Sequence, residues 1–332
     1  MLTRRDFMQV TAATAAMFGS TGDIAAASAK QKITQDQLLE FNSIGQVTLL
    51  NFTDIHAQLV PLYFREPSMN IGVGNVYGLP PHLTGKDFLK YFNIAAGTPE
   101  AYAFSSTDFS TLASQYGRIG GLAHIATIIN AIRAERPNNS ILIDVGDTWQ
   151  GSLTSLKTQG EDMVEAMNKL GVDVMTGHWE FTYGSERVLE LIDKLNFPFL
   201  AGNVRDTDFN EPVFESTKFF ERGGINVAII GQAFPYSPIA NPRYMMADWS
   251  FGIQEELIRD NVKAARQKGA DLIVLASHNG FNVDRKLASR VDGIDVILTG
   301  HTHDAIPGVI MVNNTLLIAT GSHGKFIGRL DL

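Results

Sequence analysis

Cysteine is absent from all 332 residues. Disulfides, zinc–thiolate sites and a cysteine nucleophile are therefore excluded. Any metal must be held by His, Asp, Glu, Asn or backbone oxygen, a ligand set that suits Mn, Fe, Zn, Co or Mg without choosing sharply among them. Charge is also sparse: charged residues make up 19% of the chain and the net charge is −8. That balance argues against nucleic acid or an anionic membrane surface as the main partner. No internal repeat is evident. What the chain does have is 45% hydrophobic residues, enough for a sizeable core, in a length that suits one large α/β domain.

The N-terminus carries three ordered features. Twin arginines stand in Thr3-Arg4-Arg5-Asp6-Phe7, a short apolar run follows from Val10 to Phe18, and Ala27-Ser28-Ala29 offers a small-residue cleavage site. The order resembles a bacterial twin-arginine (Tat) export signal over residues 1–29. The apolar run is too short to cross a membrane. Cleavage would remove Arg4 and Arg5 together with Asp6 and Asp23, leaving the charge at −8. The expected location is therefore the periplasm, reached folded through the Tat machinery, with residues 30–45 a polar lead-in to the domain.

Beyond the lead-in, short apolar runs rich in β-branched residues recur: Val47–Phe52, Ile141–Val145, Val172–Met175, Phe197–Leu200, Val227–Ile230, Leu272–Ala276, Val296–Leu298 and Leu316–Ala319. Helical spacing of apolar residues marks Ile119–Arg136, Asp162–Leu170, Glu186–Leu195 and Glu255–Lys268. Near-continuous apolar strands alternating with helices predict sheets covered on both faces. The segment from about 58 to 116 breaks the pattern. It has poor periodicity but many aromatics, which predicts an ordered insertion. The chain ends in Gly328-Arg329-Leu330-Asp331-Leu332, which reads as the inside of a strand and suggests that the sequence is part of a longer protein.

Five of the eight histidines follow predicted strands. Asp54-Ile55-His56 follows the first run and Gly146-Asp147-Thr148 the second. Gly177-His178-Trp179-Glu180 follows the third, Ser277-His278-Asn279 the sixth, and Gly300-His301-Thr302-His303 the seventh. Ligands bind outside the carboxyl ends of strands in open α/β sheets. Residues at i and i+2 on a chain leaving a strand can grip one ion from the same side. Two divalent ions about 3.5–4 Å apart can hold a hydroxide and clamp an anionic substrate. The seven side chains divide accordingly: Asp54, His56 and His303 for one ion, His178, His278 and His301 for the other, and Asp147 bridging, where it would hold the nucleophilic hydroxide.

This order of motifs resembles the calcineurin-like metallophosphoesterases, and within them the 5′-nucleotidase branch. The resemblance covers residues 46–332 and includes Tyr116-Gly117-Arg118-Ile119-Gly120-Gly121-Leu122 and Gly321-Ser322-His323-Gly324-Lys325. It implies a four-layer α/β/β/α sandwich with two mixed sheets inside, and a C-terminal substrate-binding domain that this sequence does not contain. One motif departs from the branch. Where nucleotidases read Gly-Asn-His-Glu, with an Asp three residues after the His supporting it, this chain has His178, Trp179 and Thr182. A ligand is kept and the catalytic His–Asp pair is lost, leaving no identified protein acid or base. That departure, Asp54-Ile55-His56-Ala57-Gln58-Leu59, the aromatic insertion and the Tat-like signal together resemble the SoxB thiosulfohydrolases. This second resemblance implies a periplasmic di-manganese enzyme that releases sulfate from a thiosulfonate on a cysteine of the SoxYZ carrier protein. Arg118, Trp179 and His323 are the candidate substrate contacts. Arg118 reads equally as a surface ion-pairing group, Trp179 as a buried strand-end aromatic, and the insertion's aromatics as a small satellite core.

Overall fold

The computed structural model of the chain describes residues 39–40, 44–63 and 72–332. The predicted signal at 1–29 and most of the lead-in lie outside the described residues. Twelve strands are described: β1 (Thr48–Phe52), β2 (Ser140–Asp144), β3 (Val174–Met175), β4 (Arg205–Asp206), β5 (Thr217–Arg222), β6 (Ile225–Gln232), β7 (Trp249–Ser250), β8 (Leu272–Ser277), β9 (Val296–Thr299), β10 (Ile310–Val312), β11 (Thr315–Ala319) and β12 (Gly328–Asp331). They form a four-stranded sheet in the order β12-β1-β2-β3, a six-stranded sheet in the order β10-β11-β9-β8-β6-β5, and a small β4-β7 ribbon. In the first sheet β1, β2 and β3 are parallel, and β12 runs antiparallel beside β1. In the second, β6, β8, β9 and β11 are parallel, and β5 and β10 close the edges antiparallel.

Side-chain alternation builds the layers. Successive strand residues point to opposite faces, so each central strand must be apolar on both. In β1, Leu49 points between the sheets and packs with Ile141, Ile143 and Val174 of its own sheet and Val227, Val274 and Val296 of the other. Its neighbour Leu50 points outward with Phe52 and Leu142 onto helix Leu122–Glu135, which buries Ile125, Ile129 and Ile132 along one face. In the second sheet, Ile273, Leu275 and Ile297 turn outward onto Ile258 and Val262 of helix Glu255–Gln267 and onto Leu287 of helix Phe281–Ala288. Two sheets face to face with a helical layer outside each make the α/β/β/α sandwich. Each fully buried Leu or Ile contributes about 1.5–3 kcal/mol.

One predicted strand comes out differently. Phe197–Leu200 makes only single bridges, Met175 to Phe199 and Leu200 to Glu215. Pro198 has no N–H for a ladder, and its carbonyl accepts from Met175. Within the aromatic segment, helices lie at Gly85–Tyr91, Pro99–Phe104 and Phe109–Tyr116. The first two share a satellite core of Phe88, Leu89 and Ala101 with Leu83, Phe92, Ile94 and Phe104. Phe104 stacks on Phe326, and Leu62 bridges Ile119, which ties the segment to the main domain. No helix among the described residues is long and apolar enough to cross a membrane.

Candidate metal centre

Parallel strands within each sheet end at the same edge, and the sheets face each other, so their carboxyl ends converge. Asp54 and His56 leave β1, Asp147 leaves β2, His178 leaves β3, His278 leaves β8, His301 and His303 leave β9, and His323 leaves β11. The turns are sharp. Asp54, His56, Asp147, His301, His303 and His323 all have φ between 51° and 76°. A non-glycine residue in this region costs about 1 kcal/mol or more, so the surrounding bonds must hold these six. Asp54 and His56 N–H donate to the carbonyls of Gly146 and Asp147, and His323 N–H donates to the Asp54 carbonyl. His301 N–H donates to the Asp54 carboxylate at 3.0 Å. Gly151 is required where the Gln150 turn passes His56, because a Cβ there would lie 2.6 Å from the His56 Cβ.

The seven sequence-predicted ligands are brought together in two groups. Asp54, His56 and His303 form one, and Asp147, His178, His278 and His301 the other, with the ligand atoms of each group within 4.8 Å of one another. His56 Nε2 stands 3.0 Å from His303 Nε2. Asp54 Oδ1 lies 3.2 Å from His303 Nε2 and 4.0 Å from His56 Nε2. Asp147 Oδ2 lies 2.9 Å from His178 Nδ1, 3.1 Å from His278 Nε2 and 3.8 Å from His56 Nε2. One carboxylate oxygen thus faces both groups, the position of a bridging ligand.

The hydrogen-bonded tautomers suit metal binding. His278 Nδ1 donates to the Val145 carbonyl at 2.7 Å, and His56 Nδ1 donates to the Gln150 carbonyl at 3.1 Å. Each bond leaves Nε2 directed at the carboxylates, the arrangement that orients metal-binding imidazoles. His178 Nε2 is buried with no partner among the described residues. Electrostatics point the same way. Burial opposes ionisation of Asp54, yet the neighbouring His278 and His303 bring it down to about 2. Burial likewise opposes ionisation of Asp147, and His278 and His178 hold it well below the usual carboxylate range. Burial disfavours charge on His278, but Asp54 and Asp147 raise it to about 9. Burial first, then His278 and His178, push His301 down to about 3, leaving it neutral. Two carboxylates held as anions among inward-facing imidazoles fit divalent metal ions.

Of the candidate substrate contacts, two stand at this centre. The Trp179 ring lies edge-on to His56 with centroids 5.0 Å apart, and the Trp179 backbone N–H donates to Asp147 Oδ1. The His323 ring lies 5.3 Å from both His56 and His303. Arg118 is exposed further out, its guanidinium 5.3 Å from the centre of the Tyr63 ring. Two further residues shape the centre. Phe234 packs its ring 3.9 Å from His301 and 4.1 Å from His178; it sits just past β6, where the strand-end rule applied to Val227–Ile230 would have found it. Glu180 is fully buried and accepts four backbone N–H groups, from Asp147, Thr148, Trp149 and His178. It locks the Asp147 turn to the His178 turn.

The family model of the calcineurin-like phosphoesterases matches residues 47–305, a span that contains all seven candidate ligands. The chain belongs to the calcineurin-like phosphoesterase family. Metal-dependent hydrolysis with two divalent ions is the chemistry of that family. Among curated relatives it is 30% identical to the 5′-nucleotidase of Rattus norvegicus over 192 residues, 56% of this chain and 33% of that protein. It is 29% identical to the snake venom 5′-nucleotidase of Gloydius brevicauda over 233 residues, 65% of this chain and 39% of that protein. Among solved structures it is similar to the sulfate thiohydrolase SoxB of Thermus thermophilus, with a TM-score of 0.85 and 38% identity over 87% of this chain and 54% of that one. The Haemophilus influenzae NAD nucleotidase, at 20% identity and a TM-score of 0.62, shares the fold. The chain thus spans little more than a third of those curated relatives and about half of the solved ones.

Proposed function

We propose that this phosphoesterase-fold hydrolase is a thiosulfohydrolase: it releases sulfate from a thiosulfonate carried on a cysteine of a SoxYZ-type carrier protein. The observation that carries the reading is the turn after β3. His178 supplies an imidazole toward Asp147, the next residue is the Trp179 indole against His56, and Thr182 Oγ1 donates to the Trp179 carbonyl at 2.6 Å. No carboxylate stands three residues beyond position 179 to support a catalytic base or acid there. The likeness to SoxB supports the same reading.

The chemistry explains why such a loss is tolerable. A nucleotidase expels an alkoxide-like oxygen, which gains from acid assistance. In thiosulfonate hydrolysis, a water oxygen joins the sulfonate sulfur and the bond from that sulfur to the sulfane sulfur breaks. The electron pair leaves on the sulfane sulfur as a cysteine persulfide, with sulfate and two protons as the other products. A persulfide is a weak base and leaves with little protonation. Bound divalent ions would activate the water and neutralise the sulfonate oxygens; manganese is the ion proposed. Asp54, His56 and His303 would hold one ion and His178, His278 and His301 the other, with Asp147 between. Trp179 and His323 would line the sulfonate, and Arg118 would draw the anion in from outside. Export through the Tat machinery to the periplasm completes the proposal, on the strength of residues 1–29.

The test is a paired assay of the manganese-loaded protein. Sulfate release from a carrier cysteine bearing thiosulfonate should exceed phosphate release from AMP by orders of magnitude. The double variant Trp179→His with Thr182→Asp should gain AMP hydrolysis. Efficient AMP turnover by the unaltered protein, without sulfate release, would make it a nucleotidase.

A further inference from the structure

Two buried acidic side chains tie together segments that carry candidate ligands, and Glu180 is one of them. The other, Asp284, lies outside every motif. It sits in the first turn of helix Phe281–Ala288 and is fully buried. Its Oδ1 accepts from Ser277 Oγ at 2.7 Å and from Asn279 Nδ2 at 3.1 Å, the residues on either side of His278. Its Oδ2 accepts from Thr299 Oγ1 at 2.5 Å, two residues before His301. The same turn reaches the other β9 ligand, because Phe281 N–H donates to Thr302 Oγ1, between His301 and His303, at 3.3 Å. All three side-chain donors to Asp284 therefore belong to segments that carry ligands.

We propose that Asp284 is a positioning residue for the second-sheet half of the metal centre, setting the relative placement of His278, His301 and His303. It touches neither ligand nor substrate. It acts by locking the end of β8 to the end of β9 through one carboxylate. Such a lock has consequences for the metal beyond stability. His278 leaves β8 with its Nδ1 already committed to the Val145 carbonyl across the sheets, so the ring can be aimed only by moving the chain on either side of it. Ser277 and Asn279 are that chain. His301 and His303 follow β9 in left-handed backbone, where a small slip of Thr299 swings both rings. A buried Asp could instead serve only the core, raising stability alike with and without metal. The two roles separate in metal affinity.

The inference rests on His278, His301 and His303 being ligands, so His278→Ala is measured beside it. The readout is manganese stoichiometry and affinity, from calorimetry and chelator competition on the metal-stripped full chain, with folding checked by circular dichroism. Asp284→Ala is expected to weaken the ion held by His278 and His301 by about 10- to 100-fold, the usual effect of removing a group that orients a ligand. The ion held by Asp54 and His56 should be affected less. Asp284→Asn, which keeps an acceptor toward Ser277 and Asn279, should recover much of the affinity. Should Asp284→Ala not fold, Ser277→Ala and Thr299→Val each remove one arm and should each weaken the same ion. Wild-type affinity for both ions in the Asp284 variants, or in both arm variants, with one ion lost in His278→Ala, overturns the positioning role and leaves the ligand assignment standing. Two ions retained at wild-type affinity in His278→Ala overturns both.

Discussion

The four-stranded sheet brings both carboxylates, Asp54 and Asp147, to the metal centre, together with His56 and His178; the six-stranded sheet brings only imidazoles, His278, His301 and His303. Neither half is a site. The carboxylates repel each other, and the Asp147 charge works against ionisation of Asp54. The imidazoles of the other sheet relieve that repulsion, and His278 stands 3.6 Å from Asp54 and 3.1 Å from Asp147. The two halves are also braced differently. Glu180 holds the first by accepting backbone N–H groups, which any residue supplies. Asp284 holds the second by accepting from Ser277, Asn279 and Thr299 side chains, so that half depends on three particular residues. Metal ions bound by these two groups would staple the sheets together, each half contributing what the other lacks.

The largest effect should come from breaking the one residue that faces both groups. Asp147→Ala should lower affinity for both ions by more than about 100-fold, exceeding the usual loss from an orienting residue, and should abolish turnover. Metal analysis after dialysis checks it. If one ion stays at full occupancy, Asp147 does not bridge.

Next comes the brace of the first half. Glu180→Ala leaves four backbone donors without their acceptor in a buried site. At about 1–3 kcal/mol for each unsatisfied group, less what water recovers, the metal-free protein should lose roughly 3 kcal/mol or more in urea denaturation. A loss under about 1 kcal/mol would mean that the turn is held by other contacts.

The last of the three is a pH effect confined to the first half. Asp144 accepts from Gly146 N–H and Thr148 Oγ1 with Oδ1, and burial, with Glu180 nearby, raises it to about 8. The folded state therefore holds this proton more tightly than the unfolded chain does. Its contribution to stability is full below about pH 4 and is lost as pH rises through about 8, a total of a few kcal/mol. In chelator, Asp144→Asn should remove this slope, so the variant gains on the parent protein between pH 5 and 8. The gap in denaturation midpoint measured across that range (about three pH units) should widen; a constant gap would refute the assignment.

Much of this was legible in advance. β1, β2, β8, β9 and β11 lie within a residue or two of the apolar runs, because a strand buried on both faces must be apolar throughout. The metal cluster was legible for a related reason. Strand ends in a parallel sheet share one edge, so a polar residue following an apolar run is placed at that edge whatever the loop does. Phe234 and Asp284 were not legible as site residues. Each acts through contacts with segments remote in sequence: Phe234 with His178 and His301, Asp284 with Thr299. The helices at 85–91, 99–104 and 109–116 were missed because they are short, and each buries only one or two side chains.

By itself the sequence determined which seven side chains could hold metal and how they would divide, because ligand chemistry and strand-end position are local properties. It also determined that the family's His–Asp pair is absent, since residues 179 and 182 are Trp and Thr. Only the tertiary structure decided that Asp147 Oδ2 faces both groups, that His56 and His278 present Nε2 inward, and that two buried carboxylates brace the two halves. Those outcomes depend on how closely two separately formed sheets approach, a distance set by the packed valines and isoleucines between them.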